Sequence, residues 1–339
     1  MRSILVYEFI TGGGCWFFGD ELPTGSLLAE GTAMRDALAA DLSAIPNIES
    51  VRICHDVRLP IPHGPKLLLD VIYEGADPFA EVSLLGSGEI AGILIAPESS
   101  NKLLFFSQLF EAFRIQLLSP SSQVIELCSN KQRTCEHLNA RGIRTPRGVS
   151  FREMPELLAL EFWPAVLKPI DGCGSQSVQM VESAAELAAC DLSSATGWRL
   201  EQFHPGTPVS VSLLAGPRGF IALQPCTQNL SDDGRFTYRG CTTPLEPHLA
   251  SRAQRLALAA AATLPPAKGY LGIDMVLGSA ENGSQDVVIE INPRLTTSYL
   301  VLRQACEQNL AAAMLKWAAG EPIELTWRPQ TFEYSVPCQ

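Results

Sequence analysis

The segment 287–297, reading Val-Val-Ile-Glu-Ile-Asn-Pro-Arg-Leu-Thr-Thr, constrains this chain more than any other. Three apolar residues lead into what reads as a buried strand, and Glu290 and Asn292 follow two positions apart. Successive side chains of a strand alternate between faces, so a carboxylate and an amide at i and i+2 converge on one point. Pro293 removes a backbone donor and ends the ladder, leaving Arg294 at the strand's end within reach of a ligand. Taken alone, such a pair is equally a strand end with solvated polar residues. Its meaning depends on what stands upstream.

Upstream, Gly269 to Leu277 and Asp286 to Ile291 read as two antiparallel strands, with Glu281-Asn-Gly-Ser284 supplying turn chemistry between them. This pairing sets Asp274 opposite Glu290 and Asn292 and gives three hard oxygen donors. Mg²⁺, or Mn²⁺ in its place, takes such a partial shell together with phosphates and waters. Lys131 and Lys168, with the glycine loop at Gly172 and Gly174, then supply what the phosphates of a nucleotide require. No G-K-[ST] of a Walker A loop occurs, and neither H-R-D nor D-F-G is present. A nucleotide site here is built in another way.

The chain's 339 residues favour two or three packed subdomains. A net charge of -11 and a pI near 5.0 provide no electrostatic footprint for nucleic acid or an anionic membrane. The ten cysteines contain no C-x-x-C pair, the N-terminal apolar run meets Glu8 too early for a signal peptide, and no window approaches a membrane span. Together these predict a cytoplasmic protein with reduced, packed thiols.

Taken in order, Ile4 to Tyr7 reads as a strand, followed by Thr11-Gly-Gly-Gly14, either a flexible ligand-facing loop or a tight turn. The spacing of Leu28, Met34, Leu38 and Leu42 predicts a helix over 27–42. Strands are expected at Val51 to Cys54, Leu67 to Tyr73 and Ile90 to Ala96, with a helix from Asp77 to Leu85. Alternating β and α runs predict an open parallel sheet covered by helices, whose ligands sit at the carboxyl ends of the strands. Tyr7, Glu8 and Glu98 fall there. Trp163 to Pro169 and Val178 to Val181 predict a hairpin around Asp171-Gly-Cys-Gly-Ser-Gln-Ser177, a nest of backbone N–H groups suited to phosphate. Further strands are expected at Trp198 to Phe203, Val209 to Leu214 and Phe220 to Gln224, a loop from Asp232 to Thr243, and helices from His248 to Leu264 and Ser298 to Ala319.

Asn130-Lys131, Lys168-Pro-Ile-Asp-Gly-Cys-Gly174, Glu201-Gln-Phe203, Asp274 and Glu290-Ile-Asn-Pro-Arg294 resemble, in order and spacing, the ATP-grasp superfamily. The resemblance implies an α/β fold, α+β in its C-terminal part: an N-terminal open parallel-sheet domain (1–128), a small central domain (129–204) and a mixed-sheet domain (205–339). It implies that Lys131 and Lys168 contact phosphates, that Gly172, Gly174 and Ser175 belong to a loop closing over them, and that Glu201 accepts from the adenine amino group. The backbone of Gln202 and Phe203 would read the adenine edge, Asp274, Glu290 and Asn292 would bind Mg²⁺, and Arg294 would steady the transferred phosphoryl group. Pro208 departs from the pattern, since many members place a ribose-binding acid shortly after the hinge.

A narrower likeness, through Val6-Tyr-Glu-Phe9, Glu30-Gly-x-Ala-Met34, Ala96-Pro-Glu98 and Arg294-Leu-Thr-Thr-Ser-Tyr299, resembles the carboxylate-amine ligase branch that includes tyramine–L-glutamate ligase of methanofuran biosynthesis. That branch implies amide formation through an acyl phosphate, with small acid and amine partners and a homodimer left open. On this reading Tyr7, Glu8 and Glu98 face the amine, Glu8 pairing its ammonium or accepting its proton, while Arg239 or Arg294 holds the acid. Two alternatives stand beside it: a bicarbonate-using carboxylase, against which the short tail after Arg294 speaks, and a non-catalytic ATP-binding protein.

Overall fold

The computed structural model describes residues 3–76, 90–152, 162–172, 177–193 and 197–337. The expected helix from Asp77 to Leu85 lies outside them. The chain opens with β1 (Ser3–Glu8), α1 (Gly14–Phe18), α2 (Ser26–Ser43), β2 (Ser50–Asp56), β3 (Leu67–Ile72), β4 (Ala91–Ile95), α3 (Lys102–Ala112) and β5 (Gln116–Leu117). The five strands form one parallel sheet in the order β3-β2-β1-β4-β5. Both faces of its centre are covered, which is why β1 is almost uninterruptedly apolar. Ile4 and Val6 pack with Met34, Leu38 and Leu42 of α2, whereas Leu5 and Tyr7 pack with Phe106 and Phe110 of α3.

The Thr11–Gly14 segment is the tight turn rather than a ligand loop. Gly13 has φ 81° and a Cβ on Gly14 would lie 2.4 Å from the Phe9 ring, so close packing and backbone conformation explain the glycines.

Next come α4 (Ser122–Cys128), α5 (Lys131–Asn139), β6 (Gly148–Phe151), β7 (Ala165–Pro169), β8 (Gln179–Val181), α6 (Ala184–Ala188) and β9 (Trp198–Gln202). The strands form an antiparallel sheet ordered β6-β9-β7-β8, with the expected hairpin between β7 and β8. The remaining elements are β10 (Thr207–Gly216), β11 (Gly219–Ala222), β12 (Cys226–Leu230), β13 (Tyr238–Thr243), α7 (Pro247–Ala261), β14 (Gly269–Leu277), β15 (Val287–Asn292), α8 (Ser298–Ala305), α9 (Leu310–Ala318) and β16 (Phe332–Ser335). Their sheet runs β15-β14-β10-β12-β13-β16, with β11 paired to β10.

Two expectations change here. Residues 238–243, expected within a loop, form β13 against β12 and β16. The helical stretch from Ser298 to Ala319 is broken in two, and Asn309 caps the second helix by accepting a 2.9 Å bond from the Ala312 N–H. The third sheet is tied to the first through α2. Asp41 accepts from the Tyr299 hydroxyl at 2.6 Å and from Arg303 Nε at 2.8 Å.

Candidate functional site

The three sheets line an open cleft of about 810 Å³, whose floor is β14 and β15. Asp274 lies directly across from Glu290, and Gly272 across from Asn292. The ladder then skips a residue, since Met275 pairs with Val288 and leaves Ile289 as a bulge. The bulge lets Val288 and Ile291 both enter the core while Ile289 and Glu290 both line the cavity.

Asn292 Nδ2 donates to Asp274 Oδ2 at 3.0 Å. Burial, and then the charge of Glu290, push the Asp274 carboxyl up to about 7. Glu290 goes the other way: burial would raise it, but Lys131, Lys168 and Arg294 outweigh that and hold it below the usual carboxylate range. Among the described residues no three His, Cys, Asp or Glu side chains form a metal cluster. The donor set is instead two crowded carboxylates and an amide. Hard oxygen donors and a surplus of negative charge suit a small divalent cation that keeps waters and phosphate oxygens in its shell.

Lys131 stands at the first position of α5, behind the cap Asn130, whose Oδ1 accepts from the Arg133 N–H at 3.0 Å. Its ammonium lies 3.4 Å from Glu290 Oε2 and donates to the Gly172 carbonyl. Lys168, on β7, pairs with Glu201 Oε1 at 2.5 Å, and Arg199 Nε approaches Glu201 Oε2 at 2.8 Å. Arg199 is held in turn by Gln132 and by the Pro146 carbonyl. All three members of this ion triad are buried.

Glu201 lines the cavity, and its carboxylate is held there by Lys168 and Arg199. The Gln202 and Phe203 N–H groups are also committed, to the carbonyls of Arg147 at 2.8 Å and Pro164 at 3.0 Å. Both residues line the cavity next to His204. Their carbonyl oxygens and the side-chain walls are therefore what this stretch offers to a base. Of the glycine loop, Gly172 is at the cavity, whereas Gly174 and Ser175, with Cys173, lie outside the described residues.

Arg294 lines the cavity beyond β15 and pairs with both oxygens of buried Glu98, at 2.9 Å from Nε and 3.1 Å from Nη2. Glu98 therefore steers Arg294 and does not face an amine. The turn that carries Glu98 also places the Ser100 N–H 2.8 Å from Asp171 Oδ2, at the root of the glycine loop. Ser100 and Asn101 both have positive φ, 54° and 59°.

Glu8 lines the cavity, but its carboxylate is folded onto its own turn. It accepts from Thr11 N–H and Oγ1, both at 2.8 Å. Burial raises it above the usual range even so. Tyr7 and Arg239 are not brought to the cavity. Tyr7 alternates to the other face of β1, its ring centroid 4.5 Å from that of Phe106. Arg239 alternates outward because its neighbour Tyr238 faces in, and it is exposed.

Sequence reasoning assigned no role to Glu30, Arg199, Gln132 or the N-terminus of α8. Glu30 stood inside a quoted motif. Arg199 precedes Glu201 by one strand repeat, a same-face signal that could have found it.

A family model described as an ATP-grasp domain matches residues 128–298. A tyramine–L-glutamate ligase of Methanocaldococcus fervens is 24% identical over 98% of this chain and 99% of its own. The crystal structure of an Archaeoglobus fulgidus protein assigned to the ATP-grasp superfamily superposes with a TM-score of 0.73 at 19% identity, covering 100% of both chains. An L-amino acid ligase from Bacillus licheniformis superposes with a TM-score of 0.67 at 16% identity, over 94% of this chain and 74% of that one.

Proposed function

The chain belongs to the ATP-grasp family, and on that footing we propose that it phosphorylates a carboxylate with ATP and passes the acyl group to an amine, forming a carbon–nitrogen bond. The observation that carries the reading is the continuity of one cavity, from the lysines and crowded carboxylates at one end to Arg294 and Glu30 at the other.

A carboxylate is a poor electrophile because its leaving group would be oxide; phosphorylation replaces oxide with phosphate. Lys131 and Lys168 offer their ammonium groups to the phosphate oxygens of ATP. Asp274, Glu290 and Asn292 would hold Mg²⁺, which neutralises charge on the phosphates when bound. Arg294, with Thr297 and Ser298, the cap and first residue of α8, faces the place where the acid would lie. A guanidinium and a helix N-terminus both favour an anionic group.

For the substrates, the full-length likeness to the M. fervens ligase supports glutamate, through its γ-carboxylate, and tyramine or a similar amine. The apolar wall of Phe9, Ile10 and Leu27 at the far end of the cavity suits the aromatic body of such an amine. The test is a screen of phosphate release over amines with glutamate and related acids, with mass spectrometry of the product. Release that depends on bicarbonate, or none with any pair despite tight ATP–Mg²⁺ binding, would overturn the reading.

A further inference from the structure

An alkylamine reaches the site as an ammonium, and attack on an acyl phosphate needs the free lone pair, so a proton acceptor is required near Arg294. The carboxylates that line the cavity are nearly all engaged. At the nucleotide end Glu201 holds Lys168 and Arg199, Glu290 faces Lys131, and Asp274 accepts from Asn292. At the other end Asp20 pairs with Lys102 at 2.5 Å and Glu8 is closed onto Thr11.

Glu21 is solvent-exposed. Glu30 differs from all of these. It projects from α2 into the cavity, is largely shielded from solvent, and among the described residues carries neither a hydrogen bond nor an ion pair.

We infer that Glu30 is the base that takes a proton from the incoming ammonium, an inference that rests on the ligase reading above. One proton passes to the Glu30 carboxylate and the nitrogen lone pair forms the C–N bond. The C–O bond to phosphate then breaks, its electron pair leaves with phosphate, and phosphate takes the second nitrogen proton. Glu30 returns its proton to water when the products leave.

The surroundings suit this role. Burial raises Glu30 to about 7, against a smaller opposing pull from Arg294, which places it near a working pH. The groups that face it or its helix are Arg294 after β15, Tyr334 on β16 and Glu8 on β1, against whose carboxylate the adjoining Gly31 packs. Arg303 of α8 is spent on Asp41, and His55 of β2 interacts with Arg35.

The experiment compares the full-length wild type and Glu30→Gln with ATP, Mg²⁺ and the acid chosen by the screen, glutamate first. Two nucleophiles are used: tyramine, a cation at neutral pH, and hydroxylamine, which is uncharged there and needs no base. Amide formation with tyramine should fall about 100-fold or more in the variant, while hydroxamate formation falls less than about threefold and certifies the fold. The wild-type rate with tyramine should also rise and level off through about 7, and this inflection should vanish in Glu30→Gln. Equal losses with both nucleophiles, or a raised tyramine KM with the inflection retained, would overturn the assignment. Absence of hydroxamate from the wild type overturns the ligase reading, and the inference with it.

Discussion

The two ends of the cavity are built on opposite principles. At the nucleotide end the charges are already committed within the protein: Lys168 to Glu201, Glu201 to Arg199, Lys131 to Glu290. Each of these side chains is held by an ion pair within the fold, so on the proposed reading the groups offered to phosphate are positioned before any ligand arrives. At the proposed amine end the wall is apolar, Glu8 is folded onto its own turn, and Glu30 makes neither a hydrogen bond nor a close ion pair among the described residues, feeling Arg294 only at longer range. The first end is rigid and pays for its order within the fold; the second leaves charge to be matched by the substrate. Such a division lets one nucleotide site serve different substrates through changes confined to the far wall.

The contrast breaks first if the nucleotide end is not where charge is handled. Replacing Asp274 by Asn together with Glu290 by Gln should lower phosphate release by about 10³-fold or more, with circular dichroism unchanged. Turnover that survives would locate the metal elsewhere.

Arg199→Met probes the rigid end without touching substrate. Loss of Arg199 leaves the Lys168–Glu201 pair matched but strips donors from Glu201 Oε2, Gln132 and the Pro146 carbonyl, a cost of about 1–3 kcal/mol that urea unfolding would read directly. A melt equal to wild type would mean that the triad is not rigid at all.

Glu98→Gln sits between the two ends. Loss of its charge should loosen Arg294 and lower kcat about 10- to 100-fold, leaving the KM for ATP in place. An equal change in the ATP KM would place Arg294 in nucleotide binding instead.

The smallest effect concerns stability. Glu30 is raised from 4.5 to about 7, so its contribution to folding is fully present below 4.5 and is lost as pH rises through about 7. Glu30→Gln should therefore stabilise the ligand-free protein at pH 8. Partial solvent contact reduces the gain to about 1 kcal/mol, and it should disappear at pH 4.5. Thermal melts of the two proteins across that range would show the gap closing with acid.

Much of the nucleotide end was legible because its signals are local. Glu290 and Asn292 share a strand face by their spacing, and one turn brings Asp274 across from them. The amine end depends on groups brought together from β1, α2, β4 and the segment after β15, which no periodicity encodes. Glu98 reads as a ligand-facing acid until Arg294, 196 positions away, is seen to claim it. Tyr7 was lost to the alternation of its own strand, since Glu8 takes the cavity face. β12 and β13 escaped because Thr227, Gln228 and Asn229 present polar atoms where a half-buried strand usually shows apolar alternation. The bulge at Ile289 is likewise silent in a run of apolar residues.

The turn after β4 makes the N-terminal sheet difficult to exchange as a module. Glu98 reaches the third sheet's Arg294, and two residues later Ser100 reaches the second sheet's Asp171. Any chimera that grafts a foreign N-terminal sheet onto the other two must bring both contacts across the junction. A graft lacking them would lose the bonds by which one turn of the first sheet holds Arg294 and Asp171.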